Sequence, residues 1–416
     1  MTGQPRSLLR QRDFRLLWAG QGVSEFGSAI TMVALPLAAV VTLNASPLQV
    51  GLLDAATTAA FLLVGLPAGA LVDRHRRRPV LMRADLGRAL LFGSIPVAAA
   101  FGVLTLAQLF VVALFGGLFR VFFDVAYQSY LPALVGRDQL VQGNSTLMAT
   151  EATAQVAGPG VGGALVGAIG AAATMTIDAV SYLVSFVSLA LIRRPEPPVE
   201  VPEGGHLPLR QAVREGLAFV IRQPMLLRIA GCTAISNLSS GIAFALQSVF
   251  MIRTLHMTPA LVGLVFAVMS VGSVLGALSA GAVTRRLGVG PAIIFGAVLS
   301  ASGPLVWPLA TVAHPLPWLM VGGVLLGLGV PIYNVTQISL RQAITPQRLL
   351  GRMNASIRFV VWGVSPIGGV IGGVLGALVG VRNTVLIGAL IGIPAVPWIV
   401  FSPIRRLRVV PDPLTD

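Results

Sequence analysis

Nine ionisable side chains stand inside long apolar runs: Glu25, Asp54, Asp85, Arg88, Arg120, Asp124, Glu151, Asp178 and Arg358. A charge held at the centre of a bilayer costs at least about 2.5 kcal/mol by insertion scales, so such a group is either paired or put to use. Every acid in this set lies in the first half of the chain, and no Asp or Glu occurs between Glu215 and Asp412. A proton-coupling carboxylate therefore has to come from the N-terminal half. Glu25, near mid-depth in the first run, is the first candidate, because a desolvated carboxyl is the kind of group that loads and releases protons. The alternative for Glu25 is a neutral or hydrogen-bonded structural glutamate. Glu151 lies similarly deep in the fifth run. Arg120 and Asp124 share one face of the fourth at i, i+4 spacing. Arg120 with Asp124 or Glu151 reads either as a structural ion pair or as part of a proton relay. Asp54 and Asp178 read as caps or snorkelling groups toward the outer ends of their runs, and Asp85 with Arg88 lies near the inner end of the third.

The runs that hold these residues define the fold. Hydrophobic residues make up 55% of the 416, charged residues 11%, and the mean hydropathy is +0.85, which is the composition of an integral membrane protein. Runs of roughly 20 apolar residues match a helix crossing about 30 Å of hydrocarbon. Twelve are expected, starting near Phe14, Leu48, Val80, Ala107, Val141, Ala172, Met225, Pro259, Pro291, Pro317, Leu349 and Asn383. The formal charge of +14 comes from arginine alone, since the chain has no lysine. Arg74, Arg76, Arg77, Arg78, Arg137, Arg193, Arg194, Arg285, Arg286, Arg348, Arg352, Arg405, Arg406 and Arg408 all fall on one side if the termini are cytoplasmic, whereas Arg253 and Arg382 lie in or beside outer loops. That bias predicts a multi-pass protein of the cell inner membrane with both termini in the cytoplasm. It also places the positive charge at a lipid surface, not on a nucleic-acid-binding domain. The polar start, Met1 to Asp13, predicts no cleaved signal peptide. A lone Cys232 and the scattered His75, His206, His256 and His314 supply no metal cluster, cofactor motif or catalytic constellation, so neither an enzyme nor a metal site is expected.

The chain repeats itself. Ser46-Pro47-x-x-Val50-Gly51-Leu52 recurs as Thr258-Pro259-x-x-Val262-Gly263-Leu264, and Ser24-Glu25-x-x-Ser28 as Ser236-Asn237-x-x-Ser240, both 212 residues on. Pro159-x-x-Gly162-Gly163 is similar to Pro366-x-Gly368-Gly369. The predicted architecture is all-α: twelve transmembrane helices in two pseudo-symmetric six-helix bundles, residues 1–192 and 225–416. Between them, 193–224 forms a cytoplasmic linker rich in proline, glycine and acids. Leu209 to Gln223 reads as an amphipathic helix on the inner leaflet, or else as an extension of the seventh span. Halves related in this way place a solute site at the midplane between them, opened to either side in turn.

Gly69, Leu71, Asp73, Arg74, Arg77 and Arg78 resemble the G-x-L-x-D-R-x-G-R-R motif of the major facilitator superfamily, with Arg76 where the family has glycine. Gly158-Pro159-Gly160-Val161-Gly162-Gly163 is similar to the antiporter motif of that family's drug:proton exchangers, as well as being a run that suits any close helix packing. Arg12-Asp13-Phe14-Arg15-Leu16-Leu17-Trp18 and Asn334-x-Thr336-Gln337-x-Ser339-Leu340-Arg341 resemble its bacterial macrolide-efflux branch. The resemblance implies the major facilitator fold, a gating role for Asp73 with the neighbouring arginines, and export in exchange for protons. For substrate, Asn237, Gln247, Asn334, Gln337, Arg358 and Trp362 stand among apolar and small residues, a setting suited to a small amphiphilic organic compound. The expected function is a monomeric secondary transporter. Proton-coupled uptake and a non-transporting sensor on the same fold are the alternatives.

Overall fold

The computed structural model describes residues 8–73, 75–135, 139–196, 217–346 and 350–409. Its long helices are α1 (Arg12–Leu37), α2 (Pro47–Asp73), α3 (Arg77–Ala100), α4 (Leu106–Val135), α5 (Leu140–Ile169), α6 (Ala171–Leu191), α7 (Pro224–Ala245), α8 (Pro259–Leu287), α9 (Val289–Val306), α10 (Pro315–Ile344), α11 (Leu350–Leu378) and α12 (Val381–Gly392). A short helix, Ala395–Val400, completes the last crossing. Each starts within a turn of its expected position. Among the described residues, eleven segments are long and apolar enough to cross a membrane. The twelfth, α3, has 24 residues and the length, but Arg83, Asp85 and Arg88 break its apolar run.

Helix starts follow from local chemistry. Ser46 and Gln49 form a reciprocal capping box ahead of α2: the Gln49 N–H donates to Ser46 Oγ at 3.3 Å, and the Ser46 N–H donates to Gln49 Oε1 at 2.7 Å. At the same place in the repeat, Thr258 Oγ1 accepts from the Leu261 N–H and Pro259 takes the first helical position.

The chain divides into two compact units. One comprises Met1–Asn44 with Leu63–Gly205, the other Ala45–Leu62 with His206–Asp416. Helix α2 thus contributes its first part to the second unit and the rest to the first. In the first unit α1 packs on α5 and α6, and α3 on α4 and α6. Its apolar core includes Phe14, Leu17, Leu81, Phe123, Tyr130 and Leu189. In the second unit α10 packs on α8 and α9, and α7 on α11 and α12, around Leu226, Ile229, Ile293, Leu340, Ile357 and Ile399. The start of α2 lies directly on α11: a Cβ on Gly51 would come within 2.5 Å of Gly373 Cα. Leu90, Leu278 and Leu378 stay exposed, as side chains that face lipid do.

The repeat reaches the backbone. Helix α1 runs into a π-helical turn at Ala38–Thr42, and α7 is followed by one at Phe250–Thr254. Asn44 (φ 50°) and His256 (φ 52°), each just beyond its turn, are the non-glycine residues with positive φ among those described. Wide turns of this kind recur at functional positions in helices. Of the 193–224 linker, 217–222 is helical and stops at Gln223 (φ −96°, ψ 108°), after which Pro224 opens α7. The expected amphipathic helix from Leu209 falls outside the described residues up to 216.

Candidate functional site: a charged cluster beside a cavity

Helix α1 brings Glu25 to the face of α4 that carries Arg120 and Asp124. Arg120 Nη2 lies 4.0 Å from Glu25 Oε2, and its Nε lies 3.7 Å from Asp124 Oδ2. The Glu25 side chain is 28% exposed, Arg120 48% and Asp124 44%, so the cluster is neither buried nor fully exposed. One guanidinium serves two carboxylates from two helices. With Glu25 neutral, Asp124 would still compensate Arg120.

Beside the cluster is a cavity of about 90 Å³ lined by Gln21, Glu25, Tyr127, Asn144, Thr150 and Glu151 among others. A water molecule's share of liquid volume is about 30 Å³, so the space suits a few waters. A drug-sized ligand needs a pocket of roughly 300 Å³ or more. The walls are held by Trp18 Nε1, which donates to Thr150 Oγ1 at 2.8 Å between α1 and α5. Gln155 Nε2 donates to Glu151 Oε1 at 3.1 Å. The structure thus brings Glu25, Arg120, Asp124 and Glu151 to one place. Its addition to the expected pairing is Glu25 as a partner of Arg120.

A second polar group lies in the packing of α1, α3 and α6. Arg88 Nη2 donates to Asp85 Oδ1 at 2.5 Å, with both side chains almost wholly covered. The Arg88 guanidinium is 4.5 Å from the Phe123 ring centre and 4.3 Å from that of Tyr182, so its faces are covered by aromatic rings. The expected snorkelling of Asp178 does not occur. Asp178 is completely buried, accepting from Thr31 Oγ1 at 2.5 Å and from Ser181 Oγ at 3.2 Å. Glycine at 27 makes the room, since a Cβ there would meet Asp178 Oδ1 at 2.6 Å. The helix rotation that turns Asp178 inward is invisible to a hydropathy count, which measures length and not azimuth.

In the gating motif, Gly69 and Asp73 lie in the last turns of α2. The Asp73 side chain and the whole of Arg74 lie outside the described residues. Arg77 and Arg78 open α3, and their N–H groups donate to Glu196 at 2.6 Å and 3.2 Å. Arg77 Nη1 is 3.8 Å from Glu196 Oε1. A carboxylate on the first N–H groups of a helix is the favourable placement for its dipole. Arg78 in turn donates to the Leu189 and Ala190 carbonyls at the end of α6, where a cation satisfies carbonyls left without helical partners. Glu196 went unremarked in the sequence. Its signal was an acid directly after Arg193-Arg194-Pro195. Arg76 has φ −62° and ψ 132°, a conformation open to any residue. Gly288, 212 residues on, has φ 90°. The α2–α3 turn is therefore built without the glycine that its counterpart uses.

The antiporter motif sits on α5 against α1. Gly158, Pro159, Gly162 and Gly163 are buried, a Cβ on Gly158 would overlap Ala29 Cβ, and one on Gly162 would lie 3.1 Å from Ile30 Cα.

In the second unit, Arg358 and Trp362 gather around Phe61 of α2. The guanidinium is 4.9 Å from the Phe61 ring centre, and the two aromatic rings are 5.9 Å apart. Asn237 Nδ2 donates to the Val361 carbonyl at 2.7 Å, so it ties α7 to α11. Gln247 is 2% exposed, and neither its Nε2 nor its Oε1 has a partner. Gln337 Nε2 donates to Asn334 Oδ1 at 3.4 Å on α10.

A family model described as "Transmembrane secretion effector" matches residues 4–408. The chain is similar to the multidrug efflux pump Tap of Mycolicibacterium fortuitum, 29% identical over 406 residues with 93% of each chain covered. It is also similar to the enterobactin exporter EntS of Salmonella typhi, 26% identical over 422 residues, covering 99% of this chain and 97% of that one. In fold it is similar to a bacterial homologue of the iron transporter ferroportin in its inward-facing state, with a TM-score of 0.71, 17% identity, and 92% and 98% of the two chains covered. The nucleoside transporter NupG aligns with a TM-score of 0.71, 13% identity, and 94% and 98% covered.

Proposed function

The chain belongs to the transmembrane secretion effector family of the major facilitator superfamily, and on that premise we propose that it exports small amphiphilic organic compounds in exchange for protons. It works from the cell inner membrane as a monomer with both termini in the cytoplasm, by alternating access of two six-helix bundles, 1–192 and 225–416 joined by 193–224. Two relatives that match it end to end carry the words efflux pump and exporter in their names.

The observation that carries the reading is the Glu25–Arg120–Asp124 cluster next to its water-sized cavity. Glu25 takes a proton delivered through the cavity and lets go of Arg120, which Asp124 then holds. Loss of the proton restores the first pairing. The relay thus alternates between two compensated states of one cation, with Glu151 as the second carboxylate on the cavity wall. Gly69, Asp73, Arg74, Arg77 and Arg78 act as the latch of one conformation, with Arg78 closing the end of α6 and Glu196 closing the start of α3. Gly158, Pro159, Gly162 and Gly163 let α5 slide on α1 at backbone contact distance. Asn237, Gln247, Asn334, Gln337, Arg358 and Trp362 supply the polar and aromatic anchors on the substrate side.

The test is solute flux in vesicles containing the purified full chain, with an imposed pH gradient. Export against that gradient's sense of proton flow supports the proposal, and solute moving with the protons overturns it in favour of uptake.

A further inference from the structure

Arg341 stands on α10 one turn before that helix ends at Ile344. Its side chain is only 9% exposed, its Nε finds no hydrogen-bond partner, and no ion pair among the described residues includes it. A guanidinium is always charged and carries five donors. Left bare in an apolar setting it is among the costliest groups a protein can bury. No carboxylate lies between Glu215 and Asp412. Asp54 is the one acid among the described residues of its unit, and it lies on α2 with its Oδ2 3.1 Å from where a Cβ on Gly369 would sit.

One helical turn earlier, on the same face, is Gln337 at 3% exposed, with Oε1 unpartnered and Nε2 given to Asn334. A half-turn of that amide exchanges its ends. With the Asn334 amide turned in the same way, Gln337 Oε1 accepts from Asn334 Nδ2, and Gln337 Nε2 points where the orphan oxygen was. Tyr333, a further turn back, already shares its hydroxyl with Thr233 at 2.8 Å and the Ile229 carbonyl at 3.4 Å. The surplus on this face is therefore one buried positive charge with its donors and one amide donor beside it. Among the described residues, no group answers them.

We infer that Arg341 and Gln337 form a subsite for an oxyanion, the carboxylate or phosphate of an amphiphilic ligand held by charge-assisted hydrogen bonds. Where that ligand is the cargo, the inference rests on the export reading and narrows it to acidic amphiphiles. A phospholipid headgroup would present the same chemistry from the membrane.

The experiment uses the purified full chain in nanodiscs. In discs of phosphatidylcholine alone, benzoate and inorganic phosphate are titrated by calorimetry and by thermal unfolding. A parallel set of discs contains phosphatidylglycerol. Saturable binding of either free anion is expected, weakened about ten- to a hundredfold in Arg341→Gln, the range for one hydrogen-bonded charge. Arg341→Lys, which keeps the charge and loses the fork, should fall between. Unliganded Arg341→Gln should unfold no earlier than the parent, because it removes an uncompensated charge. If the phosphatidylglycerol discs alone raise the unfolding temperature of the parent but not of Arg341→Gln, the subsite stands with the lipid as its source. If neither anion nor lipid discriminates between the two, or if unliganded Arg341→Gln is markedly less stable, the subsite is refuted. These readouts need no transport, so failure of export and failure of the subsite are scored separately.

Discussion

Arg120 lies 4.0 Å from Glu25 across the α1–α4 boundary. Those two residues are 95 positions apart in sequence, and their meeting joins charges of two helices into one cluster. With Asp124 at 3.7 Å on the other side of the guanidinium, the arginine has a second carboxylate to hold whenever the first is protonated.

Replacing Glu25 by Gln keeps the shape and removes the titration. Gradient-driven export should fall to the level of vesicles without protein, while equilibrium ligand binding stays close to that of the parent. Undiminished flux in the same vesicles would remove Glu25 from the coupling role.

Arg120→Gln leaves Glu25 and Asp124 close together without their cation. Because all three side chains are partly exposed, the stability cost should be modest, about 1 kcal/mol or less by thermal unfolding in detergent. Export should nonetheless be lost. Export surviving in Arg120→Gln would show that the arginine is only a strut.

The Asp85–Arg88 pair should behave differently, since both side chains are buried. Asp85→Asn alone should destabilise by about 3–5 kcal/mol by leaving a buried charge uncompensated, and the double substitution Asp85→Leu with Arg88→Met should recover much of that loss. Thermal unfolding of the three variants checks the order. A double variant as unstable as the single one would argue that the aromatic sandwich around Arg88, not the ion pair, is what the fold needs.

Glu196→Gln should loosen the junction at the start of α3, since a carboxylate there answers two N–H groups and the Arg77 guanidinium. A loss of about 1 kcal/mol is expected, together with faster amide hydrogen exchange at Arg77 and Arg78. Unchanged exchange at those two amides would mean that the cap is not formed in the membrane.

Most of the architecture was legible because a bilayer forces it to be. A helix must be about 20 residues long and apolar to cross, so every start could be read to within a turn, and the 212-residue offset reappears in the backbone as paired π turns, each followed two residues on by a positive-φ residue, Asn44 and His256. What sequence does not carry is rotation about each helix axis. Asp178 looked like a residue near a helix end, yet its rotation buries it on Thr31, 147 residues away. Glu25 was recognised as a candidate from depth alone, but its link to Arg120 depends on how α1 and α4 face one another. Glu196 escaped notice because it sits in a segment whose prolines and acids read as linker, where a single ordered side chain leaves no periodic trace.

The buried Asp85–Arg88 contact also bears on how such chains are read from sequence. It lets α3 carry opposite charges that neutralise each other inside the first unit, so the helix looks too polar for a membrane while presenting apolar side chains outward. A count that skips it arrives at an odd number of crossings, and odd parity assigns the two ends of the polypeptide to opposite sides of the bilayer. One internal ion pair, overlooked, would thus invert every loop downstream of it.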